Sequence, residues 1–155
     1  MKVVLIILEE LMRINMKKVV LSRKAGWIIL TILVFVDGFL TIIRGAEGNP
    51  LWKPVIDYIG IPYTFIFVPF VLLLFYFAIK GGGRIIEKVD KTPKAEELLL
   101  TTLVLVYFVF DLWVISVDFF GFRMIKNHYY FIPVLIIVAL TYSLWAERYL
   151  KRLKR

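Results

Sequence analysis

Residues 27–51 read WIILTILVFVDGFLTIIRGAEGNPL, and the fold class turns on them. Up to Ile43 the run is apolar except for small or hydroxyl residues and one charge, Asp37. It ends in a compact polar cluster of Arg44, Glu47, Asn49 and Pro50. A helix needs roughly 20 apolar residues to cross a bilayer, and residues 26–43 come close to that. A carboxylate inside a span costs about 2.5–3.5 kcal/mol on insertion scales, so Asp37 should face a partner, water or a site. Gly45, Gly48 and Pro50 then break the helix and force a turn.

The same pattern recurs on either side. Of the 155 residues, 61% are hydrophobic, and the mean hydropathy is +0.82. A soluble domain is roughly 45–50% apolar. The excess lies in blocks at about 26–43, 62–79, 98–119 and 129–145. These blocks predict an all-α integral membrane protein, one domain over residues 1–155, with four transmembrane helices. A short helical segment is expected over 52–59. Pro69 should kink the second span or mark a local opening in it. Gly81-Gly82-Gly83 should end it, since no Gly-Lys-Ser/Thr follows to make a phosphate loop. Thr92-Pro93 reads as a helix cap with proline at the first position, and Glu96 and Glu97 belong in the first turn of the third span. Residues 146–155 read as a basic tail.

Residues 2–21 place Glu9, Glu10, Arg13 and Lys17 mostly on one helical side. Leu5, Leu8, Leu11 and Met12 fall toward the other side, which predicts an amphipathic helix lying in the interface plane. Met16-Lys17-Lys18 is the alternative start of translation. The apolar run of residues 3–8 is shorter than the ~7–15 residues of a signal peptide, and no small-residue cleavage site follows.

Sixteen of the twenty Lys and Arg fall in the N-terminal segment, residues 80–97 and the tail; four fall in the other two loops. The positive-inside rule then places both termini in the cytoplasm of a multi-pass cell-membrane protein. The net charge of +8 does not indicate nucleic acid, because the basic residues flank apolar blocks rather than forming a patch with stacking aromatics. The basic residues after the last span, Arg148, Lys151, Arg152, Lys154 and Arg155, are expected to meet anionic lipid headgroups. Cysteine is absent, which removes disulfides and thiolate chemistry. Trp52, Tyr58, Tyr63, Tyr129, Tyr130 and Trp145 read as an interfacial aromatic belt.

Three constellations carry possible chemistry. Asp37, Thr41 and Arg44 are spaced i, i+4, i+7 and share a helical face. Asp111 and Asp118 do the same on the third span. Spans one and three run in one direction, so Asp37 and Asp111 lie at comparable depth. Two carboxylates at one depth share a proton, bind a cation or meet a base. Asp37, Thr41 and Asp111 are therefore the candidate proton- or ion-binding residues. Arg44, Glu47, Asn49 and Asp118 form the outer approach, with Arg123, Asn127, Tyr63 and Thr64 nearby. Glu47, Asp118 and His128 are candidate metal ligands, although no tight spacing such as HExxH accompanies them. No resident cofactor is expected beyond a bound cation. His128 and Ser143 fall at opposite faces, which excludes a Ser-His hydrolase.

Asp37-x-x-x-Thr41 followed by Gly45-x-Glu47-x-Asn49-Pro50 resembles a signature in a family of small prokaryotic membrane proteins of unknown function. The resemblance covers about fourteen residues. It implies that Asp37, Thr41, Glu47, Asn49 and Pro50 act as a unit, and it carries no activity.

Three functions follow as expectations. The first is a cation- or proton-binding transporter or channel, homo-oligomeric because four spans rarely enclose a pathway alone. The second is a membrane enzyme acting on a lipid or isoprenoid, with Asp37 and Asp111 as acid and base and Tyr76, Phe77, Tyr107 and Phe108 lining its pocket. The third is an accessory subunit of a larger complex.

Overall fold

The computed structural model describes residues 19–47, 49, 52–122 and 128–154. The expected interfacial helix falls outside these residues, except for its last three. The protein is an all-α membrane protein, and no strand occurs among the described residues. Four helices are long and apolar enough to cross a bilayer. In chain order the helices are α1 (Arg23–Arg44), the short α2 (Lys53–Ile59), α3 (Thr64–Val89), α4 (Ala95–Asp118) and α5 (Ile132–Lys154). Turns of 3₁₀ helix, Ile61–Tyr63 and His128–Phe131, lead into α3 and α5.

Helix α1 starts at Ser22, whose hydroxyl accepts the Ala25 N–H at 3.3 Å. It stops at Gly45, which takes a left-handed φ of 69° and returns its N–H to the carbonyls of Thr41 and Ile42. The buried residues Leu30, Val34, Asp37 and Thr41 recur at helical spacing along one face. Ile28, Ile32, Phe35, Phe39 and Ile43 are exposed on the other, as a lipid-facing stripe requires.

Helix α4 is the hub. It packs against α1, α3 and α5, and α1 packs on it most extensively. Its buried residues Leu98, Leu100, Val104, Tyr107, Phe110 and Val114 accordingly point in several directions. Ion pairs lock α1 and α4 in parallel register at both ends. Arg23 meets Glu96 and Glu97 at 3.3 Å each, and Arg44 meets Asp118 at 2.6 Å.

Several boundaries differ from expectation. Helix α3 runs through the triple glycine to Val89 rather than stopping there. The cause is packing: a Cβ on Gly83 would lie 3.0 Å from Glu96 Cα, so glycine lets α3 and the start of α4 approach closely. Pro69 lies inside α3, as expected. Thr92 does not cap α4. Lys94 precedes the helix with a φ of 56°, while Thr92 is buried and donates its hydroxyl to Glu147 at 3.3 Å. The expected tail is helical as far as Lys154, because Ala146 and Leu150 have a partner surface: they bury completely against Val20 and Leu98.

Candidate functional site

The site is built where the chain leaves α1. Arg44 follows Asp37 by seven positions, so Asp37 lies about 10 Å below the helix end. After Gly45 the chain turns back toward it. Glu47 and Asn49 are buried, each about 5% exposed (5% and 6%). Glu47 accepts the Thr41 hydroxyl at 3.0 Å and the Asn49 backbone N–H at 2.6 Å. The Thr41 hydroxyl also lies 3.0 Å from the Asp37 carbonyl, so its single proton is shared between two acceptors. The Asn49 amide donates to Asp37 Oδ2 at 3.3 Å. The Asn49 carbonyl accepts the N–H groups of Trp52 and Lys53 and so begins α2. Irregular backbone in a membrane protein must satisfy its polar groups within the protein, and here Glu47 takes the Asn49 N–H while the Asn49 carbonyl takes those of Trp52 and Lys53.

Trp52 closes the loop over α4. Its indole N–H donates to the Tyr107 hydroxyl at 3.0 Å, and its ring meets Phe67 and Phe75 edge-on. Asp111, on the turn of α4 after Tyr107, is 3% exposed. Neither of its carboxylate oxygens has a hydrogen-bond partner among the described residues. Tyr107 and Asp111 are both buried on adjacent turns of α4, at 5% and 3% exposure.

The structure therefore divides the expected constellations. Asp37, Thr41, Glu47 and Asn49 form one hydrogen-bonded cluster, with Asp111 facing it from α4. Arg44 and Asp118 form an ion pair that ties the helix ends, with Arg44 also donating to the Ala46 carbonyl at 2.7 Å. Thr64 is buried and bonds the Ile61 carbonyl, whereas Tyr63 is exposed. Arg123, Asn127 and Pro50 lie outside the described residues, as do Arg155 and the side chains of His128 and Lys154. Among the described residues no group of three or more His, Cys, Asp or Glu is placed to hold a metal ion.

Two spaces adjoin the cluster. A cavity of about 20 Å³, the size of one water, is bordered by Asp37, Gly38, Glu47, Trp52 and Thr64. On the other side a groove of about 310 Å³ lies between α3, α4 and α5. Its walls are Phe75, Leu103, Phe110 and Ile136 with their neighbours, and its polar residues are Asn49 and Tyr107. Of the four aromatics expected to line a pocket, only Tyr107 does so. Tyr76, Phe77 and Phe108 are 39%, 64% and 48% exposed because they stand on the lipid-facing sides of their helices. Trp52 and Phe75 belong to the site and carry no local signal for it, since Trp52 finds Tyr107 across 55 residues of chain.

Comparison of the chain with protein-family models, curated proteins and solved structures gives no match.

Proposed function

We propose that this multi-pass membrane protein binds an amphiphile with a long apolar chain, of isoprenoid or acyl type, and acts on its polar end by acid–base chemistry. One observation carries the reading: Asn49 belongs to the buried acidic cluster and also lines the apolar groove, and Tyr107, which accepts the Trp52 indole N–H, lines the same groove. The groove supplies apolar surface for a chain, and its volume lies at the lower end of the ~300–1,000 Å³ typical of small-molecule sites. Asn49 and Tyr107 offer hydrogen bonds where the chain's polar end would lie. Behind them, Asp37 and Asp111 hold or move a proton with no thiol or metal required. Filling the groove by Ala139→Trp tests the reading. The expected result is that wild-type protein retains a discrete long-chain amphiphile through purification and the folded variant loses it. Identical retained lipids in both would overturn it. Asp37→Asn and Asp111→Asn should keep the amphiphile but abolish its conversion.

Asp111 also favours a second reading. Two buried carboxylate oxygens without described partners suit a proton or cation relay in a homo-oligomer. Proton or cation flux in proteoliposomes that stops in Asp111→Asn, with the groove-filled variant still active, would select this reading over the first. In either case both termini are proposed to lie in the cytoplasm.

A further inference from the structure

From the surface of α5, far from the acidic cluster, we infer a discrete binding site for one anionic phospholipid. Two depressions adjoin on this helix and share Thr141 and Trp145. One, of about 440 Å³, is bordered by Ile137 and its apolar neighbours. The other, of about 470 Å³, is bordered by Arg148, Tyr149 and Arg152. Residues 137, 141, 145, 148 and 152 follow one another at i, i+4, i+8, i+11 and i+15, so they form one stripe about 22 Å long. The stripe is apolar toward the bilayer centre, aromatic in its middle and basic at its end. A phospholipid presents the matching order of chain, glycerol region and phosphate.

The five basic residues of this segment are not equivalent. Lys151 is paired with Glu147, which Thr92 also holds. Arg148 and Arg152 are exposed and stand one turn apart beside the stacked rings of Trp145 and Tyr149, whose centroids are 6.0 Å apart. Guanidinium groups bind phosphate through paired N–H donors, and tryptophan prefers the headgroup level. The occupant is a lipid and not a free phosphate, because the basic end continues directly into an apolar trough. Ile137 and Trp145 along it are 62% and 55% exposed.

The experiment titrates delipidated full-length protein with phosphatidylglycerol and with phosphatidylcholine of the same chains, read by native mass spectrometry. The wild type should bind one phosphatidylglycerol in clear preference. Arg148→Gln/Arg152→Gln should weaken it about tenfold or more, from the contribution of each basic residue near an anionic charge. Ile137→Trp, which fills the trough without changing charge, should weaken it as well. Lys151→Gln should leave it within about twofold, since its charge is already paired. All these side chains are at the surface, and helical content by circular dichroism checks that each variant folds. Equal loss in Lys151→Gln would mean diffuse charge attraction and overturn the site. So would competition by millimolar inorganic phosphate with Ile137→Trp unaffected. A concentration-dependent dimer abolished by Ile137→Trp, with lipid binding unchanged, would put a second copy on this face and also overturn it.

Discussion

Asn49 is where the acidic cluster is most sensitive. Its amide is the hydrogen-bond donor to the Asp37 carboxylate, and its backbone serves both Glu47 and α2. Asn49→Ala should destabilise the protein by about 1–3 kcal/mol, the cost of stranding a buried acceptor. Asn49→Asp, nearly the same in shape, should cost more, because it sets a third carboxylate against Asp37 and Glu47. Thermal unfolding in detergent gives the order, and an Asn49→Asp protein as stable as wild type would contradict it. Thr41→Val should cost about 1 kcal/mol by removing the hydroxyl that Glu47 accepts. Helical spacing made the Asp37–Thr41 pairing legible, but it left Glu47 and Asn49 in the outer approach; only the resemblance of the Asp37-to-Pro50 signature put all four together. What they bond to was not legible. Helical spacing brought Arg44 into the same group, yet Arg44 sits above the cluster on Asp118, a partner 74 residues away.

At the level of helices, the triple glycine separates local propensity from packing. Glycine costs about 1 kcal/mol in a helix interior, which is why the run reads as an end. Gly81 has nothing within 4 Å of its would-be Cβ, and Gly83 has the Glu96 backbone at 3.0–3.1 Å. Gly81→Ala should therefore be neutral or stabilising by up to about 1 kcal/mol. Gly83→Ala should destabilise by about 1–3 kcal/mol, since backbone must shift to admit the methyl. Equal melting temperatures for the two variants would show that the close approach of α3 and α4 is not what holds this helix together. The four spans were legible because each carries its own apolar run. The last turns of α3 and α5 were not, because charged residues there look like loop until their partner surfaces are known. Thr92 is the clearest case: a residue of capping type before a proline, turned instead toward Glu147.

At the scale of the whole molecule, α4 joins three helices, and α1 is clasped to it at both ends. Arg44→Asp and Asp118→Arg should each destabilise the protein, and the double exchange should recover stability, because the pair is mostly sheltered, at 13% and 19% side-chain exposure. Cysteines introduced at residues 46 and 88 should label from opposite sides of the membrane; labelling from one side would reject the four-span topology. The tertiary arrangement around α4 was beyond the sequence. A helix that packs on several sides has apolar residues all round and shows no preferred face.

The reach of Asn49 also bears on how the chain enters the membrane. Ribosomes add about 5–20 residues per second, so Asp118 emerges roughly 4–15 s after Arg44, and Asp37 must meet the bilayer before α4 exists to receive it. Its amide partner is only 12 residues downstream and arrives almost at once. The expected consequence is that the loop shelters the carboxylate of its own span before α4 is made. A nascent fragment ending after residue 60 should insert its first span more efficiently with Asn49 than with Asn49→Ala, as read by glycosylation mapping, although neither fragment yet contains the groove or Asp111.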